Sequence, residues 1–322
     1  MKKILSVILC AVLLVLTFAA CAPAEKTAVR LAGMTGPTGM GLAKLLEDDA
    51  NGTSANDYEF TLAGSADIIN PMIINKELDI AAVPANLASV LYNKTNGGVK
   101  VLAVNTLGVL YIVNTDGTIA SLEDLKGKTI YATGQNAAPE YALRYVLSQN
   151  GIDPDADLTI EWKTEPTEVV SLMATGECTI AMLPQPYVTV AQTKVENVTP
   201  VIDITEEWNA IGGDGMCLTG VVIASAEFVE KNPEAVEAFL KEYEASINYA
   251  NENVPEAAQL IGKYEIVAAP MAEKALPHCN LTFIGGEDMK AALQGYLTVL
   301  FDQNPAAVGG KMPADDFYYT GK

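Results

Sequence analysis

The chain is poor in the residues that most enzyme chemistry needs. Of its 322 residues one is histidine, His278, and two are arginine, Arg30 and Arg144. There is no CxxC spacing, so neither a zinc pattern nor a disulfide framework can be read, and no metal and no cofactor is expected. A nucleophile with its base and orienting partner is equally absent from the pattern, and the chain is not expected to be an enzyme. Positive charge is scarce too. Twenty Lys and Arg face 40 Asp and Glu for a net charge of −20. That balance excludes nucleic acid as a partner, because binding it needs a basic footprint. Anionic membrane surfaces repel such a chain. The acidic surplus reads as a solvated, solubilising surface.

The one feature that addresses a membrane is at the start. Met1-Lys2-Lys3 is followed by the 17 uncharged positions from Ile4 to Ala20. The run is short against the about 20 apolar residues of a spanning helix, and its charged lead fits a secretory signal over residues 1–20. Phe18-Ala19-Ala20-Cys21 looks like a bacterial lipobox, which makes Cys21 the expected lipidation site and residues 21–27 a lipidated tether. Two or more acyl chains anchor stably, so the mature chain is expected to be tethered on the extracytoplasmic face of the bacterial membrane. Loss of Lys2 and Lys3 with the leader takes the net charge from −20 to −22. Cys178, Cys217 and Cys279 then remain, three thiols that cannot all pair and that read as small buried hydrophobes.

An internal repeat carries the architecture. The segment from Asn75 to Lys94 lies over Thr175 to Lys194 without a gap, matching Glu77 with Glu177, Ile80 with Ile180, Ala81 with Ala181, Pro84 with Pro184 and Val90 with Val190. Each unit reads as alternating strands and helices. Strands are expected over 28–32, 58–63 and 78–83 in the first unit and over 129–132, 158–162 and 179–183 in the second. Helices are expected from Gly36-Pro37-Thr38-Gly39, over 65–77, 137–149 and 169–175; Ile68, Ile69, Met72 and Ile73 mark a buried face. Such alternation predicts an α/β fold of parallel sheets with helices on both faces. The β-rich run from Val99 to Asn114, with a bend at Gly108, predicts one crossing between two Rossmann-like lobes. A second run, Met216 to Ser225 after Gly212-Gly213-Asp214-Gly215, predicts the return, and two crossings make a hinge. Lobe 1 is expected to hold 28–107 and 217–322, and lobe 2 residues 108–216. Helices over 227–251, 255–263 and 286–302 are expected to pack back on lobe 1.

This order of elements resembles the type II periplasmic solute-binding proteins of ABC importers, in the branch that takes sulfonates, taurine, nitrate and thiamine precursors. Ser121-Leu122-Glu123-Asp124-Leu125-Lys126-Gly127-Lys128-Thr129-Ile130 is similar to that family's passage into the second lobe. Phe228 to Pro233 and Asn253 to Ala258 are similar to its later helices. The resemblance implies a monomer that closes on a small molecule and presents it to an ABC permease. Two alternatives stay open: a sensing lipoprotein, and an enzyme related to thiamine-pyrimidine synthase, for which His278 would be the histidine.

In open parallel sheets ligands bind beyond the carboxyl ends of the strands, at loops leading into helix N-termini. The candidates there are Thr35, Gly36, Thr38 and Gly39 after the first strand, Ser65 after the second and Asn86 after the third. Their lobe 2 counterparts are Gln135, Asn136, Gln185 and Tyr187, with Thr106 and Asp214 near the crossings. Lys163 is the one cation in an expected mouth loop, and Trp162, Trp208 and Tyr111 are aromatics placed near it. With both arginines inside expected elements, the ligand is either neutral to weakly charged or an anion held by helix N-termini and hydroxyls.

Overall fold

A computed structural model describes residues 26–212 and 215–321. The signal segment, Cys21, Gly213 and Asp214 lie outside the described residues. Strands β1 (Ala28–Met34), β2 (Asp57–Ala63), β3 (Ile80–Pro84), β4 (Val99–Leu107), β10 (Leu218–Ser225) and β11 (Leu281–Gly285) form a six-stranded sheet in the order β11-β4-β10-β3-β1-β2. Strands β5 (Leu110–Asn114), β6 (Thr129–Thr133), β7 (Thr159–Lys163), β8 (Ile180–Pro184) and β9 (Thr199–Asp203) form a second sheet in the order β7-β6-β8-β5-β9. The bodies around them are lobe 1 and lobe 2.

The sheets are mixed, which corrects the expectation of purely parallel ones. β1, β2 and β3 pair in parallel, as do β6, β7 and β8. The fourth partner is antiparallel in both. β10 runs against β3 with Gly220 opposite Pro84, and β5 runs against β8 with Leu110 opposite Pro184. The reason is connectivity: β5 enters lobe 2 directly from β4 of lobe 1, and β10 enters lobe 1 after lobe 2 is complete. Each of these antiparallel strands is thus the first one its lobe receives after a crossing. Val99 to Asn114 breaks at Gly108, between the end of β4 and the start of β5, and a Cβ there would overlap the Thr205 hydroxyl and lie 2.8 Å from the Cys217 sulfur, so the crossing has room only for glycine.

Helices follow the local chemistry. The expected helix over 227–251 is two, Ala226–Lys231 and Pro233–Glu252, because Pro233 cannot donate to the preceding turn and instead starts the second. The longer one buries Val236, Phe239, Tyr243, Ile247 and Ala250 at helical spacing against lobe 1, each large side chain contributing about 1.5–3 kcal/mol. Ser246 on the same face accepts from the Leu45 amide at 3.0 Å and donates to the Gly41 carbonyl at 2.6 Å. The helix Ala66–Ile74 buries Ile69 and Ile73, but Ile68 is 51 % exposed, against the expected four-residue face.

The lobes meet along a seam. The helix Gly286–Gln303 touches both β4 and the lobe 2 helix Ala138–Gln149. Gln303 and Asn304 donate to the Tyr141 carbonyl and hydroxyl at 3.0 and 2.8 Å. Trp208, on the helix Ile204–Ile211, is 2 % exposed, with Tyr145 at 4.3 Å and Tyr296 at 5.9 Å between ring centroids. Its indole donates to the Gly215 carbonyl at 2.9 Å. Trp208 is a seam residue, which corrects its placement at the mouth.

Candidate functional site

The parallel strands of both lobes end on the side where the chain crosses between them. Leu110 opposite Pro184 and Gly220 opposite Pro84 put the crossings beside the ends of β8 and β3. The loops after β1, β2, β6 and β7 leave their strands at this end, where the topology expects the cleft. Thr35, Ser65, Gln135 and Asn136 are exposed there, and Gly36 at φ 93 and Asn136 at φ 59 turn their loops through the left-handed region. Tyr187 opens the helix Tyr187–Lys194, which lies against the lobe 1 helix Ala269–Ala275 across the cleft. A second bridge is polar: the Tyr111 hydroxyl donates to the His278 carbonyl at 3.1 Å. Burial, then the Asp203 carboxylate, raises the Tyr111 phenol, so it stays protonated as a donor.

Other candidates are held by the protein itself. Thr106 is fully buried and spends its hydroxyl proton on the Asn105 side chain at 3.0 Å, so it has no exposed surface to offer a ligand. Asn105 in turn donates to the Thr38 carbonyl at 3.2 Å and the Tyr243 hydroxyl at 2.9 Å, so Thr38, itself 8 % exposed, belongs to the floor beneath the cleft. Gly39 is buried, and a Cβ there would overlap the Met34 carbonyl oxygen, so only glycine fits. Asn86 donates to the Ala307 carbonyl at 3.1 Å. Gln185 is 4 % exposed and accepts from the Thr189 hydroxyl at 2.9 Å. Of the expected set, Thr35, Ser65, Gln135 and Asn136 are exposed at these strand ends, and Gly36 and Tyr187 are half-buried.

Sequence reasoning passed over Glu140. It is 8 % exposed and accepts from the Asn136 amide at 2.6 Å and from Arg144 at 2.7 Å. Glutamate at the third position of a helix commonly reaches back to the chain before it, and its place three residues after Ala137 was the available signal, although the amide it takes is that of Asn136, one residue before the N-cap. Desolvation works against the Arg144 guanidinium, but its bonds to Glu140 and to Asp155 outweigh this and raise it above its ordinary value. Lys163 lies over the Tyr131 ring at 5.4 Å and 3.9 Å from Glu161.

Cys178, Cys217 and Cys279 are free and buried, and burial pushes each thiol up to about 12, which makes them inert fillers at neutral pH. His278 sits exposed on the short turn Leu276–His278. No group of three His, Cys, Asp or Glu able to hold a metal occurs among the described residues, and no helix among them is long and apolar enough to cross a membrane.

Residues 46–247 match the family model described as ABC transporter, phosphonate, periplasmic substrate-binding protein. The chain belongs to that family. Among curated proteins it is 25 % identical over 174 residues to a protein of Brucella abortus provisionally named as a binding protein, covering 54 % of this chain and 52 % of that one. The chain thus spans about half the length of the curated relatives it matches. A solved ABC transporter structure from Parabacteroides distasonis superimposes with a TM-score of 0.77 at 20 % identity, covering 92 % of this chain and 100 % of the other. The periplasmic aliphatic sulphonate binding protein of Escherichia coli gives 0.68 at 17 % identity, covering 88 % and 94 %. The fold of this phosphonate-family protein is therefore the two-lobed one of type II solute-binding proteins.

Proposed function

We propose that this phosphonate-family protein is the extracytoplasmic solute-binding component of an ABC importer, anchored by lipid on Cys21 and acting as a monomer without catalysis. The observation that carries the reading is the pair of similar lobes joined by two crossings that lie beside the carboxyl ends of β3 and β8. Ligand that touches both lobes stabilises the closed form by its differential affinity for it, and the closed form is what a permease recognises. The cargo is a small polar molecule, from the sulfonate, taurine, nitrate or thiamine-pyrimidine classes of the resembling branch or the phosphonates of the matched family. The lobes divide at residues 107/108 and 216/217.

The test is thermal unfolding of the chain from residue 22 onward against those classes together with amino acids and amines. A ligand at 100 times its dissociation constant contributes ~2.7 kcal/mol and shifts the midpoint measurably. Gln135→Ala and Asn136→Gly, the latter chosen because glycine accepts the positive φ, should weaken that shift while leaving the ligand-free midpoint in place. Undiminished binding in both variants would remove the cleft rim from the site.

A further inference from the structure

This inference rests on the reading that the lobes close by turning about the two crossings, and concerns what holds them before cargo arrives. The helix Gly286–Gln303 begins on lobe 1, where Met289, Leu293 and Leu297 are buried, and its far end reaches the lobe 2 helix Ala138–Gln149. Tyr296, midway along it, lies in the seam beside Trp208. Gln303 comes seven residues later. That is about 10 Å along the helix axis, so the helix end meets lobe 2 away from the aromatic centre of the seam.

Two hydrogen bonds cross between the lobes there. The Gln303 side chain donates to the Tyr141 carbonyl at 3.0 Å, and the Asn304 side chain donates to the Tyr141 hydroxyl at 2.8 Å. Asn304 spends its oxygen on lobe 1, accepting from the Ala306 amide at 3.0 Å as the cap of the turn Pro305–Val308. That turn is itself bound to the helix Ala85–Lys94 that follows β3. Asn86 donates to the Ala307 carbonyl at 3.1 Å, and Ser89 and Asn93 donate to the Val308 carbonyl at 2.8 and 2.9 Å. On the lobe 2 side, Tyr141 follows Glu140, whose carboxylate takes the Asn136 amide at 2.6 Å. Adjoining residues and hydrogen bonds therefore link Asn86, after β3, to Asn136, after β6. A relative shift of about 1 Å between the lobes takes both crossing bonds out of range. The Tyr111–His278 bond, by contrast, starts three residues from Gly108, close to the pivot.

We propose that Asn304 is a positioning residue: with Gln303 it latches lobe 1 onto Tyr141 and holds the lobes in the arrangement of this structure without cargo. The latch thereby presets the spacing between the loop after β3 and the loop after β6. Cargo that fits this spacing binds lobes already held together, so a larger share of the free protein is competent to bind it.

The experiment measures the distance between the lobes in the cargo-free chain from residue 22 onward. Asp67→Cys on lobe 1 and Glu168→Cys on lobe 2 place spin labels on exposed first turns, while Cys178, Cys217 and Cys279 are buried and stay unlabelled. Pulsed electron double resonance should give one narrow distance distribution for this background. Tyr141→Phe combined with Gln303→Ala removes both crossing bonds and keeps the Asn304 cap. It should raise the fraction of molecules with displaced lobes at least about fivefold, since two hydrogen bonds of ordinary strength are lost. Tyr141→Phe alone, which removes only the hydroxyl, should give a smaller increase and serves if the double variant does not fold. A role confined to stability would lower the unfolding midpoint and leave the distances unchanged, and that result overturns the inference. A distribution before substitution as broad as that of the double variant overturns it too. Cargo binding judges the importer reading separately, because these distances are read without cargo.

Discussion

Replacing Trp208 with alanine tests whether the seam between the lobes is a packed interior. The side chain is 2 % exposed, flanked by Tyr145 and Tyr296, with its indole hydrogen bonded to the Gly215 carbonyl. Truncating a buried tryptophan costs about 3–5 kcal/mol through lost transfer and the cavity left behind. Leaving the Gly215 carbonyl unpaired costs about 1 kcal/mol more. Against a total stability of about 5–15 kcal/mol this is a large fraction. With a urea dependence of about 3 kcal/mol per molar, the unfolding midpoint should fall by more than about 1 M. Trp208→Phe, which keeps an aromatic ring but not the donor, should lose roughly half as much. Equilibrium unfolding followed by circular dichroism reads both. A Trp208→Ala midpoint within about 0.3 M of wild type would refute the packed seam, and restored interest in Trp208 as a cargo-stacking ring would follow.

Ser246→Ala removes the acceptor of the Leu45 amide and the donor to the Gly41 carbonyl, and should cost about 1–3 kcal/mol by the same assay; a neutral result would mean that water replaces the hydroxyl. Gly39→Ala drives a Cβ into the Met34 carbonyl and should lower stability by about 1–3 kcal/mol or more, whereas an unchanged thermal midpoint would show that the turn has room. Asp116 accepts from Thr118 and Asn114, and those bonds lower its carboxyl from 3.8 to about 2. A depressed folded value stabilises above the ordinary carboxylate range and is lost as pH falls through the folded one. The thermal gap between wild type and Asp116→Asn should therefore be widest near neutral pH and close between about pH 4 and about pH 2. A gap constant across that range would deny the carboxylate its role.

The alternation of elements was legible because buried parallel strands are continuous apolar runs, and β1, β3, β6 and β8 lie within a few residues of the expected spans. The crossings were legible for the same reason, since Val99–Asn114 is too long for one strand and Gly108 too small to pack like its neighbours. Sheet direction was not legible, because an apolar run carries no sign of which way it points beside its neighbours. β9, β11 and the helices Ile204–Ile211 and Ala269–Ala275 escaped notice; their half-buried, mixed patterns give weak periodicity. At the site, loop positions followed from topology, but the state of each side chain did not. Asn86, Thr106 and Gln185 are polar residues at strand ends, and only coordinates reveal that the protein bonds them internally. Ile68 shows the converse: helical spacing placed it inside, yet the short helix turns it outward at the rim.

The return of the chain to lobe 1 by the second crossing also orders the assembly in time. Lobe 2 needs only the continuous stretch from β5 to β9, which leaves the ribosome or the export channel as one piece. Lobe 1 begins first but lacks β10, next to β3, and β11, next to β4, until residue 285 has emerged. The half of the molecule that is made first is therefore finished last. For most of its synthesis β3 presents an open edge, and a nascent chain with such an edge needs protection against pairing with a neighbour.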